Sequence, residues 1–253
     1  MIKISVITVC YNAVGTLEKT MQSVLGQTYP NIEYIIIDGG STDGTVDIIG
    51  RYEDRIAYWV SEPDGGIYEA MNKGIERATG DIIGIINSDD WYEIDVFQLI
   101  ADACIASNGK LVLHGDVAYH KYEKITVYKP AMDLSHFWYG TVVAHPTVFI
   151  PKCIYDEYGA FNTKYRIAAD YDLLLRLFKQ GVGYQYIPHI ISHMSDGGVS
   201  SVNMIAGYRE VLRIALSSEI PKYKAYYAFC KKSILAELVY LKDVLRSKIC
   251  CGK

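Results

Sequence analysis

Four apolar runs, at residues 4–9, 33–37, 56–60 and 81–86, alternate with segments of helical periodicity, and this alternation restricts the chain to an α/β architecture. The runs are apolar throughout rather than at every second position, as strands covered on both faces require. Between them, a helix opens at Thr16 with Leu17, Met21 and Val24 or Leu25 on its apolar side, and Tyr29-Pro30-Asn31 breaks it. A short helix is expected over 45–52, and a longer one over 67–78 with Ala70, Met71, Gly74 and Ile75 on one side. A further helix is expected over 95–107. Strand–helix repeats in series imply a mostly parallel central sheet with right-handed crossovers, flanked by helices.

The pattern changes after that. Residues 110–114, 117–122 and 124–128 read as antiparallel or mixed strands, and 147–150 as another strand before Pro151. Residues 171–180 read as a helix, with Asp170 placed as its N-cap and Gly181 as its C-cap.

The chain has 253 residues, half of them hydrophobic and 21% charged, enough for one large domain or two tightly joined halves. A net charge of −4 gives no sign of a nucleic-acid partner. No apolar run approaches a membrane span. The apolar start is strand-length and lacks a cleavage-like site, so no signal peptide is expected. Six cysteines without C-x-x-C spacing point to a reduced, cytoplasmic compartment, with no disulfide framework or zinc site.

Chemistry concentrates at the carboxyl edge of the expected sheet, where open α/β sheets bind ligands. Asn87-Ser88-Asp89-Asp90 places two adjacent acids directly after a buried strand. Such a pair is either a solvated turn or the seat of a hard divalent cation holding a diphosphate. No G-x-G-x-x-G follows the first strand and no G-x-x-x-x-G-K-[ST] occurs, which argues against a dinucleotide enzyme and a P-loop NTPase. Three loops reach the edge: Thr8-Val9-Cys10-Tyr11-Asn12, residues 38–44, and residues 87–90. The Tyr11 ring, the Asp38 carboxylate and the acid pair together suit a nucleotide, by base stacking, base N–H acceptance and neutralisation of a diphosphate through a metal. Tyr11 as a packing residue and Asp43 as an organiser of its own turn are the plainer alternatives.

Five motifs in order, Ser5-Val6-Ile7-Thr8-Val9-Cys10-Tyr11-Asn12, Ile37-Asp38-Gly39-Gly40-Ser41-Thr42-Asp43-Gly44-Thr45, Met71-Asn72-Lys73-Gly74-Ile75, Asn87-Ser88-Asp89-Asp90-Trp91 and Ala169-Asp170-Tyr171-Asp172-Leu173, resemble the family 2 glycosyltransferases, which have a GT-A fold. The resemblance covers roughly residues 1–180. It implies inverting sugar transfer from a nucleoside-diphosphate sugar, most simply a UDP-linked one, with Mn²⁺ or Mg²⁺ as cofactor. Thr8, Val9, Tyr11, Asp38, Asn72, Ser88 and Asp89 match its donor-binding positions, Asp89 and Asp90 its metal acids, and Asp170 its catalytic base. Asp172 is the competing base, and Asp170 as a simple helix cap the structural alternative. The chain departs from the family pattern at Asn87, where the first acid of D-x-D stands, at Met71, where an arginine is usual, and at Ala169, where the acid before the base is usual.

His145 precedes a strand and is a candidate for the acceptor side, with Asp172. His193, ahead of a Gly-rich stretch, is a candidate to complete the metal or diphosphate site. Either histidine equally suits an ordinary structural role. Gly197-Gly198 is either a lid hinge or an ordinary loop. The implied division is a GT-A domain over 1–215, with 1–100 binding nucleotide and 101–215 building the acceptor side, and a basic amphipathic helical C-terminal tail over 216–253. From Lys222 to Lys253 the tail carries eight Lys or Arg against two acids, and Tyr227, Cys230, Ile234, Leu238, Leu241, Leu245 and Ile249 recur at spacings of 3 or 4. Its apolar stripe either packs on the domain or lies on an anionic membrane, which suits a glycan or lipid-linked glycan acceptor. The rival functions are a catalytically degenerate binding module, supported by Asn87, Met71 and Ala169, and a nucleotidyltransferase, disfavoured by the absence of a basic residue in 8–15.

Overall fold

The computed structural model describes residues 1–121, 124–130, 134–140, 142–196 and 203–250, with side chains described up to Glu237. Strand β1 (Ile4–Cys10) lies between β2 (Ile32–Asp38) and β4 (Ile82–Asn87), and β3 (Tyr58–Ser61) flanks β2, all in parallel register. Helices α1 (Leu17–Leu25), α2 (Thr45–Gly50) and α3 (Ile67–Arg77) make the crossovers, and α4 (Val96–Ala106) follows a two-residue strand β5 (Trp91–Tyr92). Side chains of β1 alternate between the two faces. Ile4 and Val6 pack with Leu17, Met21, Val24 and Phe97 of α1 and α4. Ile7 and Val9 pack with Met71 and Ile75 of α3 and with Leu173 and Leu174 beyond. Both faces are dry, which is why the strands carry no polar alternation.

The second half extends the same sheet in mixed orientation. Strand β8 (Phe149–Pro151) runs antiparallel to β4, and β6 (Leu111–Lys121) runs antiparallel to β8. Strand β9 (Gly183–Ser195) is parallel to β6 and antiparallel to β5, and β7 (Lys124–Tyr128) hairpins back on β6. The order across the sheet is β3-β2-β1-β4-β8-β6-β9-β5. The two strands expected over 110–122 are one, β6, whose register against β9 shifts around Gly115, Asp116 and Val117. A bulge, not a turn, accounts for the break in their pattern.

Strand β9 and helices α5 (Lys152–Tyr158) and α7 (Met204–Ser217) were not expected from the sequence. Helix α6 (Ala169–Lys179) begins two residues before the expected start, so Ala168 is its N-cap and Asp170 sits inside the first turn rather than at the cap. Its C-terminus closes as a Schellman motif. Val182 N–H donates to Leu177 O and Gly181 N–H to Phe178 O, both at 3.1 Å, with Gly181 left-handed at φ 81° one position beyond the Gln180 cap. Helix α8 (Lys222–Cys250) is the last described element. Among the described residues no helix is long and apolar enough to cross a membrane.

Candidate active site

Parallel register brings three loops to one edge. Cys10 at the end of β1 pairs with Asp38 at the end of β2, and Val9 pairs with Asn87 at the end of β4. The loops after β1 and β2 are zipped together. Asn12 N–H donates to Ser41 Oγ at 2.7 Å and Asn12 Oδ1 accepts Thr42 N–H at 2.9 Å. Asp43 accepts the N–H groups of Val14 and Thr45, both at 3.0 Å, so it organises its own turn and the neighbouring one.

Asp38 is fully buried. Its carboxylate accepts Gly40 N–H at 3.1 Å, Ser41 N–H at 2.8 Å, Ser61 Oγ–H at 2.6 Å and the Ser41 hydroxyl. Burial alone would raise its pKa, but these donors hold it below the usual carboxylate range. It thus forms the floor of the loop. The open wall is Tyr11, 66% exposed, and Asp64, which the sequence presents only as a turn residue. A Cβ at Gly39 would lie 2.9 Å from Asp64 Oδ2 and 3.5 Å from Tyr11 Cδ2, so the three residues meet at one point.

Thr8 and Val9 are buried, and Thr8 Oγ1 lies 3.0 Å from the Tyr34 hydroxyl. What they can offer a ligand is backbone. Asn72 clamps the backbone of Phe161, donating Nδ2–H to its carbonyl at 2.9 Å and accepting its N–H at 3.0 Å. It ties α3 to the second half of the chain. Met71 is buried in the core, so the arginine position of the family pattern faces inward.

At the acid pair, Ser88 and Asp89 are half-buried and Asp90 is buried. Burial raises the pKa of Asp89. Burial and then the Asp89 charge push Asp90 up to about 7. Asp90 accepts Ser195 N–H at 3.1 Å and Asn87 Nδ2–H at 3.4 Å, while Ser195 Oγ–H donates to the Asp89 carbonyl at 2.7 Å. The opposite end of the Asn87 amide, Oδ1, is buried and has no hydrogen-bond partner among the described residues. Among the described residues no three His, Cys, Asp or Glu side chains converge on one point. The donor set still fits a hard cation that takes one or two protein carboxylates and completes its shell with phosphate oxygens and water.

His193 lies beside this turn, paired with Trp91 across β5 and β9. Both its ring nitrogens are engaged by protein. Nδ1 lies 2.9 Å from His120 Nε2 and Nε2 lies 3.0 Å from Glu93 Oε2, and the ring stacks on Trp91 at 5.0 Å. The proposed hinge at Gly197-Gly198 lies outside the described residues.

Asp170 and His145 line one small cavity, with Phe161, Tyr155 and Ile85, the last two residues before Asn87 on β4. Burial raises the Asp170 pKa and lowers that of His145, and each group's charge opposes the shift of the other. The Tyr68 hydroxyl shares its proton between the Ile167 carbonyl at 2.8 Å and Asp170 Oδ1 at 3.3 Å. Asp172 points elsewhere on α6, 4.0 Å from Arg176, which in turn bonds the carbonyls of Tyr158 and Ala160. The start of α6 is held from outside. Glu210 of α7 accepts the N–H groups of Arg166, Ile167 and Ala168 at 3.0, 2.8 and 3.0 Å. Ala168, the N-cap residue, makes no side-chain capping bond, and Glu210 supplies the anion that a helix N-terminus favours.

Comparison with known proteins agrees with this fold. Residues 5–141 match the glycosyl transferase family 2. An uncharacterized glycosyltransferase of Mycobacterium tuberculosis is 36% identical over 180 residues, 68% of each chain. A PGL/p-HBAD biosynthesis glycosyltransferase of Mycobacterium bovis is 27% identical over 85% of each chain. The fold is that of Staphylococcus aureus TarS 1-349 in complex with UDP-GlcNAc, with a TM-score of 0.69 at 16% identity over 91% of this chain and 71% of that one. It is also that of the mannosyltransferase PcManGT of Pyrobaculum calidifontis, solved with GDP-Man and Mn²⁺, with a TM-score of 0.65 over 97% of this chain and 80% of that one. The mixed α/β sheet flanked by helices is thus shared architecture, and the chain is a member of glycosyl transferase family 2, with a GT-A fold.

Proposed function

We propose that the protein is an inverting glycosyltransferase that moves a sugar from a nucleoside-diphosphate sugar, UDP-linked, to a hydroxyl of a glycan or lipid-linked glycan acceptor in surface polysaccharide or glycolipid assembly. The observation that carries this reading is the position of Asp170. It is the one carboxylate among the residues lining its cavity, its pKa is raised by burial, and it stands beside the end of β4 that leads into the acid pair. Inversion by a single in-line displacement asks for one base near the acceptor hydroxyl and for charge stabilisation at the leaving diphosphate.

In this reading residues 1–100 bind the donor. Tyr11 stacks on the base, Asp64 and the backbone of Thr8 and Val9 read its edge, and Asp38 keeps the loop beneath them rigid. Asp89 is the principal ligand of a divalent cation, with Asp90 and Ser88 shaping the turn, and the cation when bound neutralises charge on the diphosphate. Residues 101–215 form the acceptor side. Asp170 takes the acceptor proton, His145 balances its charge across the cavity, and Tyr68 fixes its carboxylate. The solved relatives carrying UDP-GlcNAc, or GDP-Man with Mn²⁺, support the donor class.

The test is a thermal-shift screen of UDP, GDP, CDP and dTDP sugars with and without Mn²⁺, followed by release of nucleoside diphosphate in the presence of acceptor. One nucleotide class is expected to raise the melting temperature, more so with Mn²⁺. Asp170→Asn is expected to keep that shift and lose transfer. Transfer by the Asn variant at the wild-type rate rejects Asp170 as base, and no shift with any nucleotide sugar rejects the donor site.

A further inference from the structure

Helix α8 packs on the domain with the wrong face for a helix that serves only to cover it. Ala225, Ala228 and Ala236 are its buried residues, at 2%, 4% and 8% exposure. They sit against α7 and the 3-10 turn Leu134–Tyr139. Phe229 is half-buried beside them, but several other large apolar residues point the other way. Tyr223 is 72% and Ile234 62% exposed, and Tyr227 and Cys230 lie exposed between them. At 100° per residue these four fall within one narrow stripe. The remainder of the stripe, Leu238, Leu241, Leu245 and Ile249, lies outside the described side chains.

Cations border the stripe and are held in place by rings rather than by acids. Lys224 Nζ lies 5.5 Å from the Trp138 ring centroid. Lys231 Nζ lies 5.5 Å from Tyr139 and 5.8 Å from Tyr227. Lys232 lies on the opposite, buried face with Ala225 and Ala228, its Nζ 4.7 Å from Tyr139. Among the described residues neither these three nor Lys222 pairs with a carboxylate, and Glu237 is the first acid after Lys222. An exposed apolar stripe, tyrosines with amphipathic rings and unneutralised lysines are together the chemistry of an interfacial helix.

We infer that the outward face of α8 docks the protein on an anionic lipid bilayer. The rings and Ile234 enter the headgroup boundary, and Lys222, Lys224 and Lys231 meet the lipid phosphates. A second copy of the chain is the poorer occupant, because pairing two such faces brings like charges together. The docked face lies on the acceptor side. The Phe137 carbonyl, in the turn beneath α8, accepts the Tyr171 hydroxyl at 2.8 Å, one residue from Asp170. The docking stands without the donor chemistry and is tested without it.

The experiment is co-sedimentation of the full chain with vesicles of phosphatidylcholine alone, and of phosphatidylcholine with about a third phosphatidylglycerol. Binding is expected to the second only, and to fall steeply as salt is raised. Lys224→Gln with Lys231→Gln removes two charges and is expected to weaken binding by about 30-fold. Because those lysines also contact rings, Ile234→Glu, at a site with little packing to lose, is the second variant, and it too is expected to lose vesicle binding. Equal binding to both vesicle types, or none to the anionic ones, overturns the inference. A concentration-dependent dimer that Ile234→Glu dissolves assigns the stripe to a second copy and overturns it as well.

Discussion

The Asp90 carboxylate accepts the backbone N–H of Ser195 at 3.1 Å across 105 residues of sequence. One bond therefore ties the turn after β4 to the last residue of β9. The acid that makes it is buried and sits beside the charge of Asp89, and its pKa is pushed up to about 7.

Asp90→Asn is expected to stabilise the protein in cation-free buffer at about pH 8. An acid with a raised folded pKa gives full stability below its unfolded value of 3.8, and this stability is lost as pH rises toward about 7. The amide retains an acceptor for Ser195 and carries no charge, and Asn87 Oδ1 is available to receive its N–H. A gain on the order of 2 kcal/mol is expected from denaturant melts. A loss of that size at pH 8 shows instead that the ionised form is the one the fold requires.

Glu33 gives the opposite dependence at the far end of the same strands. Its carboxylate accepts Lys3 Nζ–H, Ser5 Oγ–H and Thr79 Oγ1–H, each at 2.6 Å, and Thr79 N–H at 2.7 Å. Burial opposes ionisation, but these donors hold its pKa down at about 2, against an ordinary 4.5. Its contribution is present above the unfolded value and is lost as pH falls from about 4.5 toward 2. Glu33→Gln is expected to cost on the order of 3 kcal/mol at neutral pH and to flatten the acid decline of the melting temperature. An unchanged acid slope in the variant contradicts this.

Tyr68→Phe removes a hydroxyl that stabilises the ionised form of Asp170. The acid limb of the pH–rate profile is expected to move to higher pH, with kcat falling by up to about tenfold and donor affinity unchanged. If only KM for the donor changes, Tyr68 serves the other half of the site.

Glu210→Ala is expected to loosen the start of α6 by roughly 2–4 kcal/mol, since three backbone N–H groups lose a charged acceptor. Transfer should fall while nucleotide-induced stabilisation remains. Equal losses of both point to global unfolding.

The first four strands and their loops were legible because burial on both faces leaves a dense apolar run between turn residues. Asp89 stood out as an acid where such a run ends, whereas Asp170 stood out only through its place in the family motif, and the pattern alone put it at the helix cap rather than inside the first turn. Strand β9 was hidden. It is mostly half-exposed, carries Pro188, and pairs with β6 across a shifted register, so it shows neither alternation nor a continuous run. Glu210 was hidden for another reason. Its partners are 42 to 44 residues away, and no local pattern marks a side chain that caps a distant helix. Asp38 was visible as an acid at the sheet edge, but only coordinates show that Ser41 and Ser61 consume its lone pairs.

The sheet order carries a consequence for how such a chain can change. Trp91 and Tyr92 leave β4 behind and form the outermost rung against β9, so a segment of the first hundred residues closes the edge of the other half. A cut near residue 100, which the motif spacing invites, strands that rung on the wrong fragment. On the proposed division of labour, exchanging residues 1–100 between relatives as a block is therefore expected to unpair that rung, whereas changes made in place leave the sheet intact.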